Sequence, residues 1–227
     1  MKRILTVIAL MVVSATMAHA QLGIIGGVTL SDTNLDTKNI MENAKNVNLY
    51  HVGVAYKADM GMGFALQPAL SYQMKGANLQ ETLDASDPTA VPGTLETKTG
   101  YAEFSLGIQF GIDLLAFRPY IFAEPFVGYQ LTGNEDFRNA ATTAAYDEDQ
   151  RNAAIQEAKN KLEYGFGVGI GVDLLSHLQL SVQYFMNLGA LYQDGNIDGN
   201  AMWNAVKGSY KDINNYQGVK VSLALFF

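Results

Sequence analysis

From Leu162 to Tyr192 apolar and polar positions alternate with a period of two, the signature of strands whose successive side chains point to opposite faces. Tyr164, Phe166, Val168, Ile170 and Val172 share one face, and Glu163, Gly165, Gly167, Gly169, Gly171 and Asp173 share the other. After the short link Leu175-Ser176-His177, Leu180, Val182, Tyr184 and Met186 alternate with Gln179, Ser181, Gln183, Phe185 and Asn187, which makes the pair a hairpin. Both runs exceed the roughly 5 to 6 residues usual in globular strands and reach the roughly 9 to 11 that a tilted strand needs to cross a bilayer. Glycines on the polar face suit the inside of a narrow closed barrel, where backbones approach one another, and the opposite face then meets lipid.

The same period marks Leu22–Ser31, Asn48–Met60, Phe64–Lys75, Lys98–Phe110, Pro119–Leu131 and Asn215–Phe227. In Asn48–Met60, Tyr50, Val52, Val54, Tyr56 and Ala58 face out, and His51, Lys57 and Asp59 face in. Pro119–Leu131 is apolar on both faces. Placing Glu124 inside sends Ile121, Ala123, Val127 and Tyr129 outward, with Tyr120, Phe122 and Phe126 inward, and makes Pro125 a candidate bulge. Pro68 removes a ladder donor from the third strand.

The links Asp32–Val47, Gly76–Thr97, Thr132–Lys161 and Gln193–Asn214 are long and polar, and those between them are short. This alternation predicts an all-β fold: a single antiparallel transmembrane β-barrel of about eight strands, with long extracellular loops, short periplasmic turns and both termini in the periplasm. A soluble sandwich has no reason to alternate its links in this way. Within the third long link, Asp149–Lys161 (DQRNAAIQEAKNK) has an N-cap candidate, good helix formers and a Glu157–Lys161 pair, and predicts a short surface helix.

The start of the chain reads as a secretory signal: basic Lys2 and Arg3, apolar Ile4–Met17, and Ala18-His19-Ala20 before a cut at Gln21. Residues 1–20 are then the signal peptide and 21–227 one outer-membrane barrel domain in a Gram-negative-type cell. With no cysteine, the exported chain has neither disulfides nor a lipoprotein acceptor thiol. Removing Lys2 and Arg3 from the 15 basic residues leaves 13 against 22 acidic, a formal charge of 13 less 22, or −9, which argues against nucleic-acid binding.

Gly23–Ser31 (GIIGGVTLS), Leu66–Ala77 (LQPALSYQMKGA), Arg118–Gln130 (RPYIFAEPFVGYQ), Gly165–Leu174 and the terminal Phe227 resemble the PorT-like outer-membrane beta-barrel domain family across the mature chain. These are strand patterns and not catalytic signatures. The resemblance implies a barrel in the outer membrane, and it raises an accessory role in secretion or envelope assembly. Phe227, with apolar residues at alternate positions before it, is similar to the signal that the barrel assembly machinery reads on its clients.

Candidate chemistry is sparse. His51 lies on a predicted inner face and His177 in a periplasmic turn toward the other end, so they share no site, and Ser176 beside His177 lacks an orienting third group. Asp194, Asn196, Asp198 and Gly199 match the first half of a calcium loop, but the twelfth position is Ala205 instead of an acid. GFGVGIG continues a strand and opens no helix, so it is not a phosphate cradle. No enzyme activity and no cofactor are expected.

By parity, Lys57, Lys75, Glu103, Glu124, Glu163 and Lys220 all point inward, and isolated buried charges would each cost several kcal/mol, so pairing is expected, centred on Lys220, Glu124 and Glu103. The interior of about eight strands has room only for side chains. The expected function is therefore a structural or surface-binding barrel that meets outer-membrane lipid along its wall and an extracellular ligand or protein through its loops. Small pores and membrane-embedded enzymes are the alternatives. The acidic Thr132–Lys161 link, with Glu135, Asp136, Asp147, Glu148 and Asp149, suggests a cationic partner or a bridging divalent ion.

Overall fold

The computed structural model describes residues 20–32, 49–80, 93–139, 147–175, 177–190 and 215–227. Its strands are β1 (Ala20–Asp32), β2 (Tyr50–Gly61), β3 (Phe64–Gln80), β4 (Gly93–Gly111), β5 (Phe117–Asn139), β6 (Leu162–Leu174), β7 (Leu178–Asn187) and β8 (Gln217–Phe226). Each pairs antiparallel with its sequence neighbours, and β8 returns to β1, from Gly23↔Phe226 to Asp32↔Gln217, to close an eight-stranded barrel. A helix, α1 (Glu148–Ala158), lies between β5 and β6.

Side-chain alternation decides which way each strand faces. Ile24, Val54, Leu70, Phe104, Ile121 and Ile170 are half or more exposed, whereas Lys75, Tyr101, Glu103 and Phe185 are sealed inside. This inverts the arrangement of a water-soluble protein and fits a molecule whose outer solvent is hydrocarbon.

The contact between β5 and β6 explains two features that are puzzling in the sequence, an inward face of β5 rich in aromatics and one of β6 rich in glycine. Tyr120, Phe122 and Phe126 are registered directly opposite Gly171, Gly169 and Gly165. A Cβ at Gly169 would collide with the Val182 carbonyl oxygen of β7 and stand 2.6 Å from the Phe122 ring, and one at Gly165 would collide with the Met186 carbonyl oxygen and stand 2.6 Å from the Phe126 ring. The glycines therefore make room both for the β5 rings on one side and for the backbone of β7 on the other.

Several element boundaries depart from the sequence reading. β3 and β4 stay paired from Gly76↔Lys98 out to Gln80↔Thr94, so both ends of the predicted Gly76–Thr97 loop are strand. β5 likewise runs on to Asn139, opposite Gly93. The sequence of these extensions is rich in threonine, asparagine and charged residues, so hydrophobic alternation carries little signal there.

No register shift falls at Pro125, which pairs with Phe166; the β4–β5 shift lies between Gly100 and Tyr101. The missing proline donor is absorbed on the other side, where the β4–β5 pairs pass from Ser105↔Phe126 to Ile108↔Ala123. Pro68 behaves in the same way: it pairs with Leu106 of β4, while the β2–β3 ladder skips it. At the end of β2, Ala58 is buried and Asp59 exposed, opposite to the sequence parity, beside the irregularity between Asp59 and Gly61.

α1 starts earlier than expected. Asp147 is its N-cap in a reciprocal capping box with Gln150, and it ends at Ala158, which leaves Lys161 beyond the helix and outside any helical pair with Glu157. It is not simply a surface helix, because Ile155 and Ala158 are buried. Residues 1–19, 33–48, 81–92, 140–146, 176 and 191–214 lie outside the described residues, and with them the predicted signal segment up to His19, Ser176, part or all of each long link, and the calcium-like Asp194, Asn196 and Asp198.

Candidate functional site

Among the described residues, the inward faces of the strands carry polar and aromatic side chains that bond to one another in tiers. Nearest the three short turns, Asp173 at the end of β6 is held by Lys57 Nζ at 2.5 Å and Arg118 Nη1 at 2.9 Å through one carboxylate oxygen. Its other oxygen accepts from Gln179 Nε2. Arg118 also donates to Gln109 and to the carbonyl of Gly63, and Gln109 donates to Gln67, so the tier ties β2, β3, β4, β5, β6 and β7 together.

The middle tier joins Lys220 of β8 to Glu124 of β5 at 3.1 Å and to Glu103 of β4 at 3.5 Å, and Gln183 donates to Glu124. Above it, Lys75 of β3 donates to Glu103 and Glu163 at 2.8 Å each and to Asn187 at 3.3 Å. Asn187 in turn donates to the second oxygen of Glu163 at 2.6 Å. Glu103 thus links both lysines, one through each oxygen. Lys75 further lies 4.2 Å from the ring centroid of Phe126 and 5.1 Å from that of Phe185, faces that attract a desolvated cation. At the rim away from the short turns, Lys159, just past α1, donates to Thr99 and to Tyr216, whose hydroxyl also bonds Thr97 at 2.7 Å.

Five of the six sequence-predicted lumen charges, Lys75, Glu103, Glu124, Glu163 and Lys220, form one connected group, and Lys57 belongs to the separate Asp173 tier. The sequence reading put Asp173 on the inward face of its strand but left it out of the expected charge network, and it missed Arg118, Lys159 and Tyr216 as lumen groups. Parity offered a signal for the first two: Asp173 is an even number of residues from Glu163, and Arg118 an even number from Glu124. Parity also covers Tyr216, four residues before Lys220 in the predicted Asn215–Phe227 strand, whereas Lys159 precedes its strand, where parity says nothing. Phe227 lies just past β8, its side chain exposed and its amide donating to the Leu22 carbonyl.

One arrangement has the outline of a nucleophile and base: His51 Nε2 is 2.9 Å from Ser222 Oγ and its Nδ1 is 3.2 Å from Thr29 Oγ1. The group behind the imidazole is a neutral hydroxyl that itself accepts from Gln73, and not a carboxylate to stabilise an imidazolium. Both Ser222 and His51 are buried. The cavity beside them has a volume of about 30 Å³ and is lined by Gln67, Ser105, Tyr120, Glu124 and Ser181 among others. At about 10–15 Å³ per water, that is room for roughly two waters and no organic substrate.

A family model described as "Outer membrane protein beta-barrel domain" matches residues 14–193, well over half of the chain. No curated protein matches it. Among solved structures, the chain is similar to Neisserial surface protein A, at 10% identity over 92% of this chain and 97% of that one, with a TM-score of 0.41. It is similar to a major outer membrane protein from Thermus thermophilus, at 10% identity over 92% and 100%, TM-score 0.43. It is also similar to Ail, the attachment invasion locus protein of Yersinia pestis, at 9% identity over 92% and 97%, TM-score 0.38. With a lipid-facing exterior, a charged interior and that family match, this chain belongs to the outer membrane protein beta-barrel domain family and resides in the outer membrane of a Gram-negative-type cell.

Proposed function

We propose that the protein is a closed, non-enzymatic barrel that serves as a rigid outer-membrane scaffold and engages its ligand or partner through the loops at the rim opposite the short turns. The observation that carries this reading is the connected group Lys75–Glu103–Glu163–Lys220–Glu124, which spans the lumen from β3 to β8 with its carboxylates and ammoniums paired at 2.8–3.5 Å. Such a group occupies the path an ion would take, and each of its three carboxylates lies within ion-pair distance of one of its two ammoniums.

In this reading the short turns lie in the periplasm and the loops at the cell surface, following the usual asymmetry of these barrels. The signal segment is removed after Ala20, and Phe227 is presented to the barrel assembly machinery, its exposed ring in keeping with that role. The PorT-like resemblance favours an accessory task in secretion or envelope assembly over solute uptake.

Purified protein in a planar bilayer is expected to show no steady conductance. Stable, well-resolved single-channel currents from the unmutated protein would overturn the closed-barrel reading and favour a small pore.

A further inference from the structure

The lipid-facing rows do not stop where the strands do. Each of the three short turns carries a large apolar residue with positive φ: Met62 at 55°, Leu115 at 41° and Leu175 at 50°. Left-handed backbone crowds the Cβ of an L-residue, so turns standing in water usually put glycine or asparagine there. Here methionine and leucine take the strained position and also project away from the protein, Met62 being 94% and Leu175 75% exposed, and Leu115 entirely so.

The surroundings have the same character. Phe64, Ile112 and Leu114 are exposed beside these apices, and the acid on the second turn, Asp113, leans toward Arg118 at 3.6 Å. Phe64 and Phe117 begin the outward rows of β3 and β5, so the apolar surface of the turns is continuous with the wall already in contact with lipid. An apolar tip in water gains nothing that compensates its backbone strain, whereas the same tip in hydrocarbon removes its surface from water.

We propose that the tips of all three turns are immersed in the membrane leaflet at this rim, so that lipid covers Met62, Leu115 and Leu175. The barrel is then anchored at one end by its turns as well as by its wall. Only the name of the leaflet, inner, rests on the orientation proposed above; the contact itself does not.

The chain has no cysteine, so single labels can be placed without background. Met62→Cys, Leu115→Cys and Leu175→Cys, each carrying an environment-sensitive fluorophore, are folded into phosphatidylcholine vesicles and compared with Asp149→Cys on exposed α1. The folded, heat-modifiable fraction is measured with and without lipid bearing a spin label near the head of the acyl chain. The expected result is blue-shifted emission and at least twofold stronger quenching at the three tips.

Emission and quenching equal to those at Asp149→Cys would overturn the proposal. So would tips that are water-like in vesicles but shielded in native membranes, because a protein would then be the cover. A second measurement separates strain from lipid contact. The combined Met62→Asn, Leu115→Asn, Leu175→Asn chain suits the backbone better, yet is expected to insert into vesicles at least fivefold more slowly; equal or faster insertion would refute lipid immersion.

Discussion

Replacing Lys75 by methionine tests whether the lumen is held by charge. Methionine keeps most of the stem volume and its packing on Phe126 and Phe185 but removes the ammonium that three side chains share. The consequences for the two carboxylates differ. Glu103 retains Lys220 at 3.5 Å, whereas Glu163 keeps no cation within ion-pair distance among the described residues, only the Asn187 amide. The cost is therefore that of one broken buried pair and not two, about 3–5 kcal/mol.

Adding Glu163→Gln removes the stranded charge and is expected to return at least half of that loss, a coupling of about 2 kcal/mol in a double-mutant cycle. Urea unfolding of the detergent-solubilised barrel, followed by the heat-modifiable gel shift, gives each free energy. A single substitution costing less than about 1 kcal/mol would refute the reasoning, as would a double mutant no better than the sum of its parts, since a lysine worth so little is solvated and the lumen wet.

Asp173→Asn is expected to cost about 3 kcal/mol in the same assay, because it leaves Lys57 and Arg118 facing one another without the negative charge between them; an effect within error would mean that water already screens that tier. Gly169→Val forces a branched side chain against the Val182 carbonyl and into the ring of Phe122 and should lower stability by about 1–3 kcal/mol, with Phe122→Ala in the same chain recovering only the share due to the ring. If the second change deepens the loss, the glycine serves the backbone and not the ring.

The parts of the fold that were legible in the sequence are those where lipid on one side and a packed interior on the other impose opposite demands on successive residues. β6 is the clearest case: the Leu162–Leu174 pattern has the same bounds as the strand. Legibility failed in the outer ends of β3, β4 and β5, whose threonines, asparagines and acids resemble loop composition although their backbones remain paired. It failed again at Pro125, because a proline shows that one donor is missing but not which neighbour loses it.

For the candidate site, parity placed the charged residues of the strand interiors inside. It did not reveal their partners, since Lys220 meets Glu124 and Glu103 across the lumen, and only strand tilt and ring closure determine which distant residues share a height. Arg118 shows the same limit. In sequence it stands at a turn, yet its guanidinium reaches back to Asp173 and Gly63.

The seam between β1 and β8 has a consequence for biogenesis. Gly23 pairs with Phe226, so the contacts that close the ring join residues from opposite ends of the chain. Until β8 arrives, β1 and β7 are both open edges, able to recruit any other extended segment and prone to aggregation. Closing so long a loop brings no reward before the seam zips. Loss of β8 should therefore abolish the barrel outright instead of leaving a slightly smaller one, and until it closes the chain depends on being kept apart from its own copies.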